Sequence, residues 1–207
     1  MKKDKGVLIT IEGADGCGKT TLLKNLINLL SKTNLDFIST KQPGGTTFGE
    51  KISTLLKESD KNVSAKTEFL LFAADRAQHF EKVVIPALEN GKLVICDRMG
   101  NSSLAYQGYG RGVDLEQIKT INSWVTQNIQ PKIIMYIHID VSIAIERMKK
   151  RGASSVFEER YKNFMHKVIN GFDTIFANKK NVVILDGTLS EDKLTQEAYK
   201  ALQQKIL

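Results

Sequence analysis

The chain of 207 residues holds only two cysteines, three prolines and one tryptophan. No apolar run approaches the roughly 20 residues that a membrane helix requires. Each scarcity excludes something. Cys17, inside a glycine-rich turn, and Cys96, in "LVIC", have neither metal-ligand spacing nor the density of a disulfide framework, so both are expected as reduced thiols. So few prolines beside 42% hydrophobic residues argue against disorder and for a compact globule with a substantial core. The start, "MKKDKGVLITIEG", opens on charge, but Thr10 and Glu12 interrupt its apolar stretch, which is read as the first strand of a cytoplasmic protein. His79, His138 and His166 share no spacing and are assigned no role.

The formal net charge is +7. Most lysines are scattered along the chain as a solvated surface, and the one dense basic cluster is "ERMKKRG" at 146–152. No basic stretch is interleaved with aromatics, so neither nucleic acid nor a membrane is expected as a partner. Small anionic substrates suit this charge better.

Short β-rich runs at 7–12, 37–41, 92–96, 132–139 and 181–185 alternate with helical patterns. This alternation predicts one α/β domain over residues 1–207, a three-layer sandwich whose five-stranded parallel sheet has helices on both faces. Leu22, Leu26, Leu29 and Leu30 are expected on one face of the first helix. Asp114 and Gln117 read as a capping box opening a helix through Trp124. A long helical stretch over 65–89 is expected to kink or end near Pro86.

Gly13-Ala14-Asp15-Gly16-Cys17-Gly18-Lys19-Thr20 matches G-x-x-x-x-G-K-[ST] in full, with a strand before it and a helix after it. In such a loop the backbone N–H groups from Gly13 through Thr21 can cradle nucleotide phosphates at the positive end of the helix. Lys19 adds a point charge to the outer phosphates, and the Thr20 hydroxyl can ligate the magnesium ion that accompanies the nucleotide. Asp97-Arg98 follows the strand "LVIC", which places a carboxylate for magnesium and a phosphate-forking guanidinium at a strand's carboxyl end. A phosphate cradle identifies a donor and leaves the reaction open.

Three further stretches narrow it: "KQPGGTTFGE" (41–50), "FAADRAQH" (72–79) and "DRMGNSSLAYQGYGRG" (97–112). With the P-loop they resemble the bacterial type of thymidylate kinase, among the P-loop nucleoside monophosphate kinases, over nearly the whole chain. The resemblance implies transfer of the γ-phosphoryl group of ATP to dTMP, with Mg²⁺ as cofactor, by a homodimer. It implies that Phe72 stacks on thymine, that Arg76 donates to the base O4, and that Ser103 and Gln107 line the remaining base edge. Tyr106 would crowd the sugar 2′ position, Asp15 would accept from the 3′-hydroxyl, and Arg98 would hold the acceptor phosphate. Pro43 would make a tight bend, Gly44 and Gly45 would let the backbone approach that phosphate, and Lys41 would supplement it. From the residues alone, Phe72 and Tyr106 also fit a core role, and Arg76 a surface role beside Glu81.

One class of the family carries an arginine inside the P-loop and the other supplies it from a lid. Gly16 and the absence of a P-loop arginine point to the lid class, with the lid near 147–160. Val156 stands near where many lid-class relatives have an arginine, which leaves Arg151 and Arg147 as catalytic candidates, with Lys150 and, more weakly, Arg160. A kinase of broader deoxynucleotide range and a nucleotide-gated nucleic-acid-binding protein are the competing readings.

Overall fold

The computed structural model of the chain describes residues 6–58, 63–152 and 159–206. Five parallel strands, β1 (Val7–Gly13), β2 (Phe37–Lys41), β3 (Leu93–Asp97), β4 (Ile133–His138) and β5 (Val182–Asp186), pair in the order β2-β3-β1-β4-β5. Every strand expected from the sequence forms, with its ends within one residue of the expected ones. The central strands are covered on both faces, which is why their sequences are nearly continuous in apolar residues rather than alternating.

The helices are α1 (Lys19–Leu30), α2 (Thr47–Glu58), α3 (Ala65–His79), α4 (Ile85–Glu89), α5 (Gly100–Ser103), α6 (Leu115–Val125), α7 (Val141–Lys150), α8 (Glu159–Phe176) and α9 (Glu191–Lys205). Ile9, Ile11, Ile133, Met135 and Ile137 meet Leu22, Leu26 and Leu30 of α1 and Leu194, Ala198 and Leu202 of α9. Leu8, Val94 and Cys96 point to the opposite face, against Phe80 and Val84. This division follows from the two-residue alternation of side chains along a strand. Leu29 departs from expectation: it is half-buried while Leu22, Leu26 and Leu30 are fully buried, because the i, i+4, i+8 row faces the sheet and Leu29 lies beside it. Cys17 and Cys96 are both buried free thiols.

The stretch over 65–89 ends its regular α turns at His79, well before Pro86. Phe80–Val84 is π-helical, with the Ile85 N–H donating to the Phe80 carbonyl, and Pro86 sits in the first turn of α4. Proline offers no N–H to the Lys82 carbonyl, so the wider turn accommodates the missing bond. Leu104–Gly110 is a second π-helical segment. Asp114 caps α6, its carboxylate accepting from the Gln117 N–H, which is the Asp114 half of the expected capping box. Among the described residues no helix is long and apolar enough to cross a membrane.

The chain passes from β1 past β3 to β2, and from β3 across β1 to β4. The connections therefore diverge between β1 and β3, which opens a crevice at their carboxyl ends, where open α/β sheets bind ligands. Gly13 ends β1 there, and Asp97 ends β3.

Candidate active site

The glycine-rich turn runs from the end of β1 into α1, with Gly13, Gly16 and Gly18 at φ of 150°, 84° and 103°. At Gly16 the requirement is also steric, since a Cβ there would lie 2.6 Å from the Ala144 carbonyl oxygen of α7. Gly18 caps α1 without a side-chain acceptor, and the first turn of the helix has no acidic residue. The N–H groups and positive end of α1 are thus left for an external anion. Lys19 is buried, its Nζ donating to the carbonyls of Gly13 (2.9 Å) and Ala14 (2.8 Å). Burial, and then the nearby Arg98 charge, lower its pKa, so an anion beside it would be favoured.

Asp97 shares a cleft of about 320 Å³ with Lys19, Thr20, Arg98, Asp15 and Arg151. Its Oδ1 is buried and has no hydrogen-bond partner among the described residues. A divalent cation between Asp97 and the Thr20 hydroxyl would satisfy that oxygen, so these residues fit magnesium.

Arg98 adopts the left-handed conformation, φ 64°, which turns the chain sharply off β3 and sends the guanidinium back over the P-loop. It donates to the Gly13 carbonyl (3.1 Å), the Ser102 Oγ (3.1 Å) and the Tyr106 hydroxyl (3.4 Å), and it forms an ion pair with Asp15. Burial opposes its charge, but the Tyr106 oxygen and the carboxylates of Asp15, Asp97 and Glu12 outweigh it and keep Arg98 protonated. The Tyr106 hydroxyl also accepts from the Asp15 N–H at 3.0 Å. Its ring packs edge-on against Phe164 and Phe172, so Tyr106 belongs to both the core and the site.

A second cleft, of about 270 Å³, lies on the other side of this pair and is lined by Phe72, Arg76, Ser103, Tyr106, Gln107 and Pro43 among others. Asp15 and Arg98 line both clefts. Phe72 is half-buried on the cleft wall, whereas Phe69, one turn earlier, is in the core at 3% exposure. Arg76 is only 2% exposed, which removes the surface reading beside Glu81. Its Nε donates to the Gln42 Oε1 (2.9 Å), its Nη1 to the Asn122 Oδ1 (2.6 Å) and its Nη2 to the Ser103 Oγ (3.0 Å). Burial pushes the Arg76 pKa down to about 10, Glu12 and Asp75 acting against the shift, so the guanidinium stays charged at neutral pH. Gln107 donates to Glu68 at 2.6 Å, and Glu68 pairs with Arg111. The π-helical segment brings Tyr106 and Gln107 round to the same cleft as Ser103. Pro43 follows a cis peptide bond at the cleft edge, Gly44 and Gly45 continue the loop, and Lys41 is exposed at the end of β2.

A third cleft, of about 300 Å³, lies on the P-loop's other flank, between Thr21, Leu22, Arg147, Lys150, Gly187, Leu189 and Leu194. Arg147 lines this outer cleft and donates to the Gly187 carbonyl at 2.8 Å. Arg151, the residue capping α7, lines both this cleft and the one holding Lys19 and Asp97. The two arginines one turn apart thus share the outer cleft, and Arg151 alone of the pair also lines the cleft of Lys19 and Asp97. Lys150 pairs with Glu146, and Arg160 is exposed in the first turn of α8. Val156 falls outside the described residues.

The family profile described as thymidylate kinase matches residues 11–198. The chain belongs to the thymidylate kinase family. It is 38% identical over 198 residues to the thymidylate kinase of Halothermothrix orenii, covering 94% of this chain and 95% of the relative. It is 40% identical over 194 residues to that of Fervidobacterium nodosum, covering 94% and 97%. The crystal structure of thymidylate kinase from Ehrlichia chaffeensis superposes with a TM-score of 0.78 at 31% identity, over 96% of this chain and 99% of that one. Membership makes this chain a phosphotransferase of the thymidylate kinase type with the P-loop NTPase fold.

Several residues beside these clefts have no role assigned from the sequence. Glu12, wholly buried at the end of β1, accepts from the Met99 N–H (2.9 Å) and the Ser102 Oγ (2.6 Å), and Ser102 in turn accepts from Arg98. Burial raises its pKa to about 7, opposed by Ser102, Arg98 and Met99. Gln42 and Glu68 also line the second cleft, and Asn122 and His79 lie behind it, bonded to Arg76 and to Gln42. The Glu12 position alone offered a cue: a carboxylate inside an apolar strand needs partners.

Proposed function

We propose that this chain transfers the γ-phosphoryl group of ATP to dTMP, giving ADP and dTDP. The observation that carries the proposal is the shared wall: Asp15 and Arg98 line both the phosphate-loop cleft and the cleft holding Phe72 and Arg76. A donor in the first and an acceptor in the second would meet at that pair. An oxygen of the acceptor phosphate attacks the γ-phosphorus while the bond to the β,γ-bridging oxygen breaks, and its electron pair leaves with ADP. The acceptor oxygen is itself the nucleophile, so the protein supplies alignment and charge neutralisation. Lys19 and the α1 N-terminus hold the donor phosphates, Arg98 holds the acceptor phosphate, and Arg151 reaches the transferring group from the end of α7. Thr20 and Asp97 would hold Mg²⁺, which supplies charge neutralisation on the donor phosphates.

Thymine fits the second cleft by chemistry. Phe72 offers a flat apolar face, and Arg76 presents only donors, which suit a carbonyl O4 and clash with the amino group of cytosine. Asp15 suits a sugar hydroxyl, and Tyr106, fixed by the Asp15 N–H and Arg98, leaves little room at the 2′ position. The outer cleft beside Arg147 and Leu189 suits the donor base. An ADP-release assay across the common monophosphates at fixed ATP tests this: kcat/KM for dTMP should exceed that for dCMP by ten-fold or more, since each mismatched buried polar group costs about 1–3 kcal/mol. Equal turnover of dCMP would overturn the assignment. We also propose a homodimer, supported by Leu55 and Leu70, which α2 and α3 leave 52% and 54% exposed.

A further inference from the structure

His79 ends the stretch FAADRAQH with no role assigned from the sequence, yet it is fully buried at the end of α3. Its Nε2 lies 2.6 Å from the Thr40 Oγ1 and its Nδ1 lies 2.8 Å from the Gln42 Nε2. The roles in this chain of bonds are fixed from one end. The Arg76 Nε can only donate, so the Gln42 oxygen must face it, and the Gln42 amide nitrogen must face His79. Nδ1 then accepts, Nε2 carries the hydrogen, and Nε2–H donates to Thr40. An arginine with fixed polarity thereby dictates a histidine tautomer two bonds away.

The packing leaves this wire no slack. A Cβ on Gly45 would stand 2.4 Å from the His79 Cδ2, so the loop backbone lies directly on the imidazole. Asp75, one turn earlier on α3, accepts from the Gly44 N–H at 3.0 Å and holds the same loop. Residues 72, 75, 76 and 79 form one i, i+3, i+4, i+7 face of α3, and all four address the 40–45 loop or the cleft beside it.

We propose that His79 is a positioning residue for base recognition: through Gln42 it holds Arg76 in the plane where the guanidinium reads the pyrimidine. The inference rests on the assignment of Arg76 to the base edge. Protonation of His79 would turn a second donor against the Gln42 amide, and the site opposes it. Burial pushes the His79 pKa down to about 4, with the Arg76 charge adding to the shift.

Steady-state kinetics of His79→Leu, His79→Asn, Gln42→Met, His79→Leu/Gln42→Met and Arg76→Met test the proposal, with dTMP and dCMP as acceptors. His79→Leu should raise the KM for dTMP roughly ten-fold, the size of one unsatisfied buried hydrogen bond, and lower the dTMP-to-dCMP preference by a similar factor. The KM for ATP should be unchanged and kcat within about two-fold. His79→Asn keeps an acceptor for Gln42 and should recover much of the preference, although leucine fills an apolar space better. Gln42→Met should match His79→Leu, and the double variant should be no worse than Gln42→Met alone. Wild-type acceptor preference in His79→Leu, beside a lost preference in Arg76→Met, would overturn the positioning role. So would losses that multiply in the double variant, or an asparagine variant worse than the leucine one. Retained preference in Arg76→Met would instead overturn the assignment of Arg76. If His79→Leu does not fold, Gln42→Met decides, and wild-type preference in that variant overturns the proposal.

Discussion

Lys19 illustrates what a single buried charge does before its ligand arrives. Its ammonium rests on two P-loop carbonyls, and burial disfavours the charge it carries there. Donor phosphates would take over that charge, so Lys19→Met should lower kcat by at least 10²-fold with an unchanged circular dichroism spectrum; normal turnover would remove Lys19 from the phosphate site. Two other buried groups titrate in opposite senses. His79 has a folded pKa lowered to about 4 from 6.5, so the unfolded state binds the proton first and stability is lost as pH falls from 6.5 towards 4. Glu12 has a folded pKa raised to about 7 from 4.5, so the native state keeps a proton that the unfolded state sheds, and stability is lost as pH rises from 4.5 to 7. Each contribution is on the order of 3 kcal/mol and they oppose each other in the wild type. Urea unfolding across pH 4–7 should separate them: Glu12→Gln should gain stability over wild type as pH rises, and His79→Leu should gain on it as pH falls. Parallel profiles for all three proteins would contradict both shifts.

At the scale of an element, α7 and the turn that ends it divide two tasks between neighbouring arginines. Arg151 reaches the cleft of Lys19 and Asp97, while Arg147 is tied to Gly187 beside the outer cleft. Arg151→Ala should therefore cut kcat, by up to about 10³-fold if it meets the transferring group, with little change in the KM for dTMP. Arg147→Ala should mainly raise the KM for ATP. Equal effects of the two variants on kcat would contradict this division. The α3 helix is the other element with a divided role. In its row of Phe72, Asp75, Arg76 and His79, the sequence alone also allowed a surface place for Arg76. Asp75, Arg76 and His79 are buried, with Phe72 half-buried beside them, because α3 lies against the 40–45 loop and the residues that follow β3.

Across the whole molecule, the sheet supplies the common frame: β1 and β3 end side by side, and the turns after them deliver the P-loop and Arg98 to one crevice. The proposed dimer would use the side where α2 and α3 pack together and expose Leu55 and Leu70. A stable interface buries at least about 1,000 Å² with an apolar centre, and a charge placed there is costly. In sedimentation velocity the wild type should run as a dimer and Leu70→Glu as a monomer. A variant that stays dimeric would move the interface elsewhere.

The sequence by itself determined what depends on neighbours in the chain. The P-loop, the five strands and the Asp114 cap are set by fixed spacings, side-chain periods and backbone conformations within about a dozen residues. Resemblance to the family then singled out Phe72, Arg76, Ser103, Tyr106 and Gln107, and all five line one cleft. Only the tertiary structure decided which charges are buried and what satisfies them. Glu12 meets Ser102 across 90 positions, Arg76 meets Asn122 across 46, and His79 meets Gln42 across 37. No periodicity spans such separations. A buried polar group takes its partner from whatever element the fold packs against it, and leaving it without one costs more than most single contacts contribute.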